Sequence, residues 1–166
     1  MTSFYKIKGD KRKEVSEQSW KHERDCGDLF TAFIYTKDLP ITEWEHTSDQ
    51  KHGLRFDRAA KIAGKQFYFE IERGTQTITA IKEKVEQYLR IPGTFYVVFT
   101  VQDYQPNPYM KVVKTYRQFG EDILNLVAQY RRRAQFVVAP HHLLVENPSA
   151  EILVSPEAKY SFQTIQ

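Results

Sequence analysis

The sequence predicts an α/β protein with a mixed central sheet and helices on both faces of that sheet. Three segments have apolar residues that recur every three or four positions, as on the buried side of a helix. The segment Phe67–Glu72 alternates apolar and polar side chains, as a strand does. The segment Phe95–Val101 is almost continuously apolar, which is typical of an inner strand covered on both faces.

The composition indicates one soluble domain. A chain of 166 residues that is 41% hydrophobic and 27% charged can bury a sizeable core. No apolar run reaches the length of a membrane span, and the N-terminus lacks the apolar segment of a secretory signal. We therefore expect a cytoplasmic protein with no membrane partner. We divide it into a polar, weakly ordered segment over residues 1–20 and a single domain over residues 21–166.

The first half of this domain contains one predicted helix and three predicted strands. The helix covers residues 21–35, and Pro40 follows its end. The strands are expected at residues 41–46, 54–62 and 65–72. Gly64 provides the turn between the last two strands, which therefore form a β-hairpin.

Helices and strands alternate in the second half. Helices are predicted over residues 77–90 and 115–132, and strands over residues 95–101 and 136–139. Pro92 and Gly93 close the first of these helices. A further strand or turn is expected over residues 151–154. This order predicts a three-strand meander followed by right-handed βαβ crossovers.

The hairpin carries the strongest functional signal, which is a group of three carboxylates. Strand alternation directs Phe69 and Ile71 to one face of the sheet, and Glu70 and Glu72 to the other. Asp57 lies on the neighbouring predicted strand. Two acids on one strand face repel each other unless a divalent cation, a basic partner or a raised pKa offsets the repulsion. A solvated outer face, with each acid paired to Lys or Arg, is the alternative interpretation.

Nuclease active sites use such carboxylates to hold divalent ions that neutralise the scissile phosphate and orient an attacking water. Mg²⁺ (or Mn²⁺) suits this role because it takes hard oxygen ligands. We expect Asp57 and Glu70 to bind the metal and Glu72 to assist. The strand position two residues after Glu70 holds no lysine, so Lys84, or Lys82, on the following helix is expected to supply the basic group.

The motif segments Phe56-Asp57, Phe69-Glu-Ile-Glu-Arg-Gly-Thr75 and Lys84-Val-Glu-Gln-Tyr88 resemble the replication-relaxation family of bacterial plasmids and mobile elements. That family's signature reads roughly Pro-Asp, Glu-x-Asp-Arg-Gly-Thr and Lys-x-x-x-Tyr. His22 and Trp44 also sit where the family tends to place a His and a Trp. The family is similar in layout to the PD-(D/E)xK restriction-endonuclease-like superfamily. Its αβββαβ core has the element order predicted here.

This resemblance implies a metal-dependent DNA endonuclease, or a DNA-processing (nicking) protein, of plasmid, phage or mobile-element replication. Its partner would be DNA, with a homodimer or a replication and relaxation protein as a further partner. Basic or polar residues near the ends of predicted elements are the expected DNA contacts: Arg73, Thr75, Arg131, Arg132 and Arg133. For the arginine triplet, favourable placement at a helix C-terminus is the alternative interpretation.

The chain also departs from these patterns. Phe56 replaces the proline before the first acid, and Glu72 replaces the usual aspartate. The strand lysine of the wider nuclease superfamily is missing. The alternative function is therefore a non-catalytic, nuclease-like replication accessory or regulatory DNA-binding protein. In that protein Glu70 and Glu72 would form an ion-pair cluster with Arg73, Lys82 or Lys84.

Overall fold

A computed structural model describes residues 17–35, 41–45, 53–62, 64–74, 76–102, 115–130 and 134–146. Within these ranges the chain forms four helices and five strands. The helices are α1 (Glu17–Ile34), α2 (Ile78–Tyr88), α3 (Tyr116–Val127) and α4 (His141–Glu146). The strands are β1 (Ile41–Glu45), β2 (Arg58–Ile62), β3 (Lys65–Glu72), β4 (Phe95–Val101) and β5 (Ala134–Pro140).

The five strands form one mixed sheet in the order β1-β2-β3-β4-β5. Strands β1, β2 and β3 pair antiparallel, whereas β3, β4 and β5 pair parallel. Gly64 has a φ of 75° in the turn between β2 and β3, a conformation that side-chain-bearing residues rarely adopt. The predicted α/β class with a mixed sheet is confirmed. Strand β3 lies at its centre, where the antiparallel and parallel halves meet.

Helices cover both faces of the sheet, and the alternation of β3 determines which helix each side chain meets. On one face Phe69 packs against Phe33 of α1, with ring centroids 5.6 Å apart. On the other face Tyr68 packs against Tyr88 of α2, with ring centroids 5.4 Å apart. Every residue of β4 is buried, as its continuous apolar sequence predicts. Two cores therefore form, one on each side of the sheet.

The two crossover helices begin at threonine N-caps. The Thr77 side chain accepts a hydrogen bond from the backbone N–H of Ala80 at the start of α2. Thr115 and Gln118 form a reciprocal capping box at the start of α3. In the described part of the chain, every helix is too short or too polar to cross a lipid bilayer.

Several element boundaries differ from those predicted. Helix α1 begins at Glu17, inside the segment expected to be weakly ordered. Helix α3 ends at Val127, after which the backbone N–H groups of Gln129 and Tyr130 donate to carbonyls three residues earlier instead of four. Strand β5 is longer than predicted by two residues at its start and one at its end. The strand or turn predicted over residues 151–154 lies outside the described residues.

The start of β2 is the difference that affects the candidate site. The strand begins at Arg58, not at Leu54, so Asp57 precedes it instead of lying on it. The reason is a local hydrogen bond. The Asp57 carboxylate accepts the backbone N–H of Ile71 at 2.7 Å, a donor on the neighbouring strand β3. The Asp57 side chain thus takes the place of the backbone acceptor that the predicted strand would have offered here.

Truncation of a core side chain tests this packing. Ile123 of α3 is fully buried against the sheet, so we expect Ile123→Ala to lower the free energy of unfolding by about 2–5 kcal/mol. Ile34 has an exposed side chain, and Ile34→Ala is expected to change it by less than about 0.5 kcal/mol. Urea denaturation measures both values, and equal losses would contradict the described core.

Candidate functional site: a buried carboxylate and lysine cluster

The three predicted carboxylates converge at the carboxyl end of β3. Glu70 and Glu72 share the face of β3 that is covered by α2, and each is only 1% exposed. Asp57 reaches the same end of the strand because Arg58 pairs with Phe69, which places the residue before Arg58 beside Glu70. The carboxyl ends of parallel strands are where α/β sheets usually bind ligands. This location makes the three acids the candidate site.

Lys84 bridges the two glutamates. Its Nζ lies 2.7 Å from Glu70 Oε2 and 2.9 Å from Glu72 Oε1. Tyr88, one helical turn later, donates its hydroxyl hydrogen to Glu70 Oε1 at 2.5 Å. Residues four apart on a helix lie side by side, so the spacing of Lys84 and Tyr88 delivers both donors to the same carboxylates. Helix α2 thereby closes this side of the cluster.

Helix α1 closes the other side through a histidine. His22 Nε2 lies 3.1 Å from Asp57 Oδ1, while Asp57 Oδ2 accepts the Ile71 backbone N–H. The other ring nitrogen of His22, Nδ1, is 3.8 Å from the sulfur of the buried Cys26. Asp57 is therefore held from two directions, by a side chain of α1 and by the backbone of β3.

Five of the six carboxylate oxygens in this cluster have a partner. Both oxygens of Asp57 and both oxygens of Glu70 accept hydrogen bonds, as does Oε1 of Glu72. The sixth oxygen, Glu72 Oε2, is buried and has no hydrogen-bond partner among the described residues. An unpaired buried carboxylate oxygen is costly, so Glu72 is the least satisfied member of the cluster.

Burial is the main cause of the pKa shifts of the two glutamates. Burial raises the pKa of Glu70 to about 7, although the positive charge of Lys84 opposes the shift. Burial also raises the pKa of Glu72, again against the influence of Lys84. Burial disfavours the Lys84 ammonium, but the two glutamates outweigh it and hold the pKa of Lys84 above its usual range. Both buried glutamates therefore bind a proton more readily than an exposed glutamate does.

Asp57 and His22 behave as an ion pair. Burial by itself favours neutral Asp57, but the hydrogen bond and charge of His22 prevail and lower the Asp57 pKa. The hydrogen bond from His22 to Asp57 is the main cause that raises the pKa of His22 to about 10. His22 is consequently a cation at neutral pH. The cluster thus has two cations, Lys84 and His22, for three carboxyl groups.

The Lys84 ammonium lies between the two glutamates that were expected to bind a metal ion. In the ranges that the structure describes, no group of three or more His, Cys, Asp or Glu side chains is placed to hold a metal. An ion between Glu70 and Glu72 would have to displace the Lys84 ammonium from its two hydrogen bonds. The acids converge as predicted, but the expected metal position is taken by a lysine.

Two further predicted site residues, Lys82 and Arg73, are described by the structure, and each pairs with an acid outside the cluster. Lys82 is exposed, and its Nζ lies 3.9 Å from Glu86, so Lys84 and not Lys82 reaches the carboxylates. Arg73 faces α1, where its Nε donates to the buried Asp25 at 2.7 Å and its guanidinium forms an ion pair with the same carboxylate. Thr75 and the arginine triplet at residues 131–133 lie outside the described residues.

Two members of the cluster were not predicted as site residues. Tyr88 lies on the predicted apolar stripe of its helix and ends the Lys-x-x-x-Tyr spacing, and that spacing is the signal that could have identified it. His22 lies 35 residues before Asp57, and no local pattern connects the two. Only the position of His22 in the motif resemblance hints at this contact.

Comparison with known proteins found no family model, no curated protein and no solved structure that matches this chain. The resemblance to the replication-relaxation family therefore stays a prediction, which rests on the motif residues themselves. The residues quoted for it include His22, Asp57, Glu70, Lys84 and Tyr88, all of which belong to the cluster.

Glu70→Gln tests the raised pKa of Glu70. Because folding raises the pKa of Glu70 from 4.5 to about 7, its contribution to stability is complete below pH 4.5 and is lost as the pH rises through 7. We expect the free energy of unfolding of the wild type to fall over this range by on the order of 3 kcal/mol on account of Glu70. Glu70→Gln should remove most of this fall, as measured by urea denaturation at several pH values.

Glu83→Gln is the matched control, since Glu83 is exposed on the same helix. This variant is expected to keep the pH dependence of the wild type. An equal slope in the wild type and in Glu70→Gln would show that folding does not raise the pKa of Glu70.

His22→Gln tests the ion pair with Asp57. The pKa of His22 is raised from 6.5 to about 10, so its stabilising contribution is complete below pH 6.5 and is lost as the pH rises through 10. We expect the difference in Tm between the wild type and His22→Gln to shrink from pH 7.5 to pH 10.5. His142→Gln, at an exposed histidine, should show no such convergence. A constant difference in Tm would contradict the loss of a proton from His22 in this range.

Proposed function

We propose that this protein is a DNA-binding accessory or regulatory protein of plasmid or mobile-element replication, with a restriction-endonuclease-like architecture and no phosphodiester cleavage of its own. Two lines of reasoning support the proposal. The motif resemblance supports the class of protein and its partner. The closed carboxylate and lysine cluster supports the absence of cleavage.

The proposed architecture is supported by the order of the elements around the cluster. From α1 to β4 the chain runs helix, three strands, helix, strand, which is the order of the restriction-endonuclease-like core. The acids also occupy comparable places in that order, with Asp57 just before β2 and with Glu70 and Glu72 on β3. The helix after β3 carries the lysine, as the motif resemblance requires.

The pairing of the carboxylate oxygens is the observation that carries the non-catalytic proposal. Lys84 holds both glutamates, and His22 and the backbone of β3 hold Asp57. A carboxylate that activates water or binds a metal needs a free, hydrated oxygen. Glu70 and Glu72 are almost completely excluded from solvent. The cluster therefore has the properties of a structural ion-pair network, which the alternative function predicts.

DNA is the proposed partner. The chain carries a formal charge of +3, so its attraction to phosphates must come from local basic clusters. The arginine triplet at residues 131–133, together with Thr75 and Arg73, remains the proposed contact set. Since Arg73 is held by Asp25, we assign the larger share of phosphate contacts to the triplet. A homodimer or a replication partner protein would extend this surface.

A metal-dependent nuclease is the second candidate, and two observations favour it. Glu72 Oε2 is buried without a partner in the described residues, and the pKa of Glu70 is raised to about 7. Perturbed carboxyl groups of this kind concentrate at functional sites. Under this candidate, Asp57, Glu70, Glu72 and Lys84 would carry the activity.

DNA binding is tested by fluorescence anisotropy with labelled duplex and single-stranded DNA over a range of salt concentrations. We expect binding that weakens with salt. The salt slope should fall by about 2–3 units when Arg131, Arg132 and Arg133 are changed together to alanine, because each arginine that neutralises a phosphate contributes about one unit. The matched control changes Lys61, Lys82 and Arg90 to alanine, which removes the same charge from the described surface. No binding, or equal slopes in both triple variants, would contradict the proposed contact set.

Cleavage is tested by incubating supercoiled plasmid and single-stranded DNA with the protein and Mg²⁺ or Mn²⁺. We expect no nicking or linearisation above that of the Asp57→Ala and Glu70→Ala variants, because five of the six carboxylate oxygens are already paired. Cleavage by the wild type that is lost in both folded variants would replace the accessory proposal with the nuclease.

A further inference from the structure

We propose that Glu70 and Glu72 form a cation-binding site whose resident cation is the Lys84 ammonium, and that a divalent metal ion occupies the same site once this ammonium is removed. Lys84 would then be an internal counter-ion that closes the site to metals. This role of Lys84 rests on the proposed function, in which the wild-type cluster holds no metal.

The position of the ammonium supports this role. Lys84 Nζ makes hydrogen bonds of 2.7 and 2.9 Å to one oxygen from each glutamate. It therefore sits between the two carboxylates, where a metal ion bridging them would also sit. Both glutamates are almost completely buried, so water solvates their negative charge only weakly. A single positive charge serves two carboxyl groups.

The hydrogen bonds of Lys84 do not satisfy every oxygen of the two glutamates. Glu72 Oε2 is buried without a hydrogen-bond partner among the described residues. If the Lys84 ammonium is removed, three of the four glutamate oxygens lose or lack a partner: Glu70 Oε2, Glu72 Oε1 and Glu72 Oε2. The fourth, Glu70 Oε1, keeps the neutral donor Tyr88. The emptied site thus offers hard oxygen ligands from two carboxylates.

This ligand set suits small divalent cations. Mg²⁺ and chemically similar ions are commonly held by one or two carboxylates and complete their coordination with water. The Lys84 side chain is 22% exposed, so we expect its truncation to admit such waters. Transition metals that prefer sulfur ligands are not favoured here, because both protein ligands are oxygen donors.

Binding of Mn²⁺ to purified variants tests the site without DNA. We expect Lys84→Ala to bind one Mn²⁺ per chain in calorimetry and in electron paramagnetic resonance, at least about tenfold more tightly than the wild type, which is about 1.4 kcal/mol. Lys82→Ala is the matched control, because it removes the same charge from an exposed position on the same helix. It should bind no better than the wild type. Adding Glu72→Gln to Lys84→Ala should abolish the gained site.

A second variant keeps the test decisive if Lys84→Ala does not fold. Lys84→Met retains an apolar stem of similar length, and circular dichroism and thermal unfolding report whether either variant is folded. If a variant is unfolded alone but folds on addition of Mn²⁺, the proposal is supported. If neither variant binds or is stabilised by Mn²⁺, or if the wild type binds equally well, Lys84 does not occupy a cation site. These results do not depend on whether the protein binds DNA.

Discussion

Two carboxyl groups buried on the same face of one strand are the constraint on which the site depends. Glu70 and Glu72 are separated by one residue of β3, and almost no solvent reaches either. Such a pair persists only with a nearby cation, a shared proton or both. Helix α2 supplies the cation through Lys84 and a further donor through Tyr88. The crossover from β3 to β4 must therefore hold α2 at the rotation about its axis that directs both of these side chains toward the acids.

The same end of β3 is tied to α1 by charged contacts on the opposite side. His22 pairs with Asp57, Arg73 pairs with the buried Asp25, and Arg58 donates to Glu23 at 2.6 Å. These contacts join α1 to β2 and β3 at the point where the chain leaves the sheet. Removing one member of a buried ion pair leaves an uncompensated charge. The polar network thus links the positions of α1 and α2 through the strand between them.

Sequence patterns predicted the strands and their faces better than they predicted the cluster. The alternation of residues 67–72 separated the aromatic residues facing α1 from the acids facing α2, and the continuous apolar run located β4 at its observed bounds. Periodicity alone could not decide between Lys82 and Lys84, because both flank the apolar stripe of α2. The motif spacing favoured Lys84, which is the lysine that reaches the acids.

Contacts between distant elements were beyond sequence reasoning. The pairing of His22 with Asp57 depends on how α1 docks on the sheet, and no local spacing encodes that angle. Strand β2 begins only after Asp57, because the Asp57 side chain takes the place of a backbone carbonyl as the acceptor for the Ile71 N–H. The sequence places Lys84 near the acids, but it does not show that one ammonium contacts both glutamates.

A crystal structure of the wild type grown with Mn²⁺, with diffraction recorded at the manganese absorption edge, tests the central claim most directly. The Lys84 ammonium should bridge Glu70 and Glu72, and no anomalous peak should lie within hydrogen-bond distance of either carboxylate. An anomalous peak between the two glutamates, with Lys84 turned away, would show that these acids form a metal centre in the native protein.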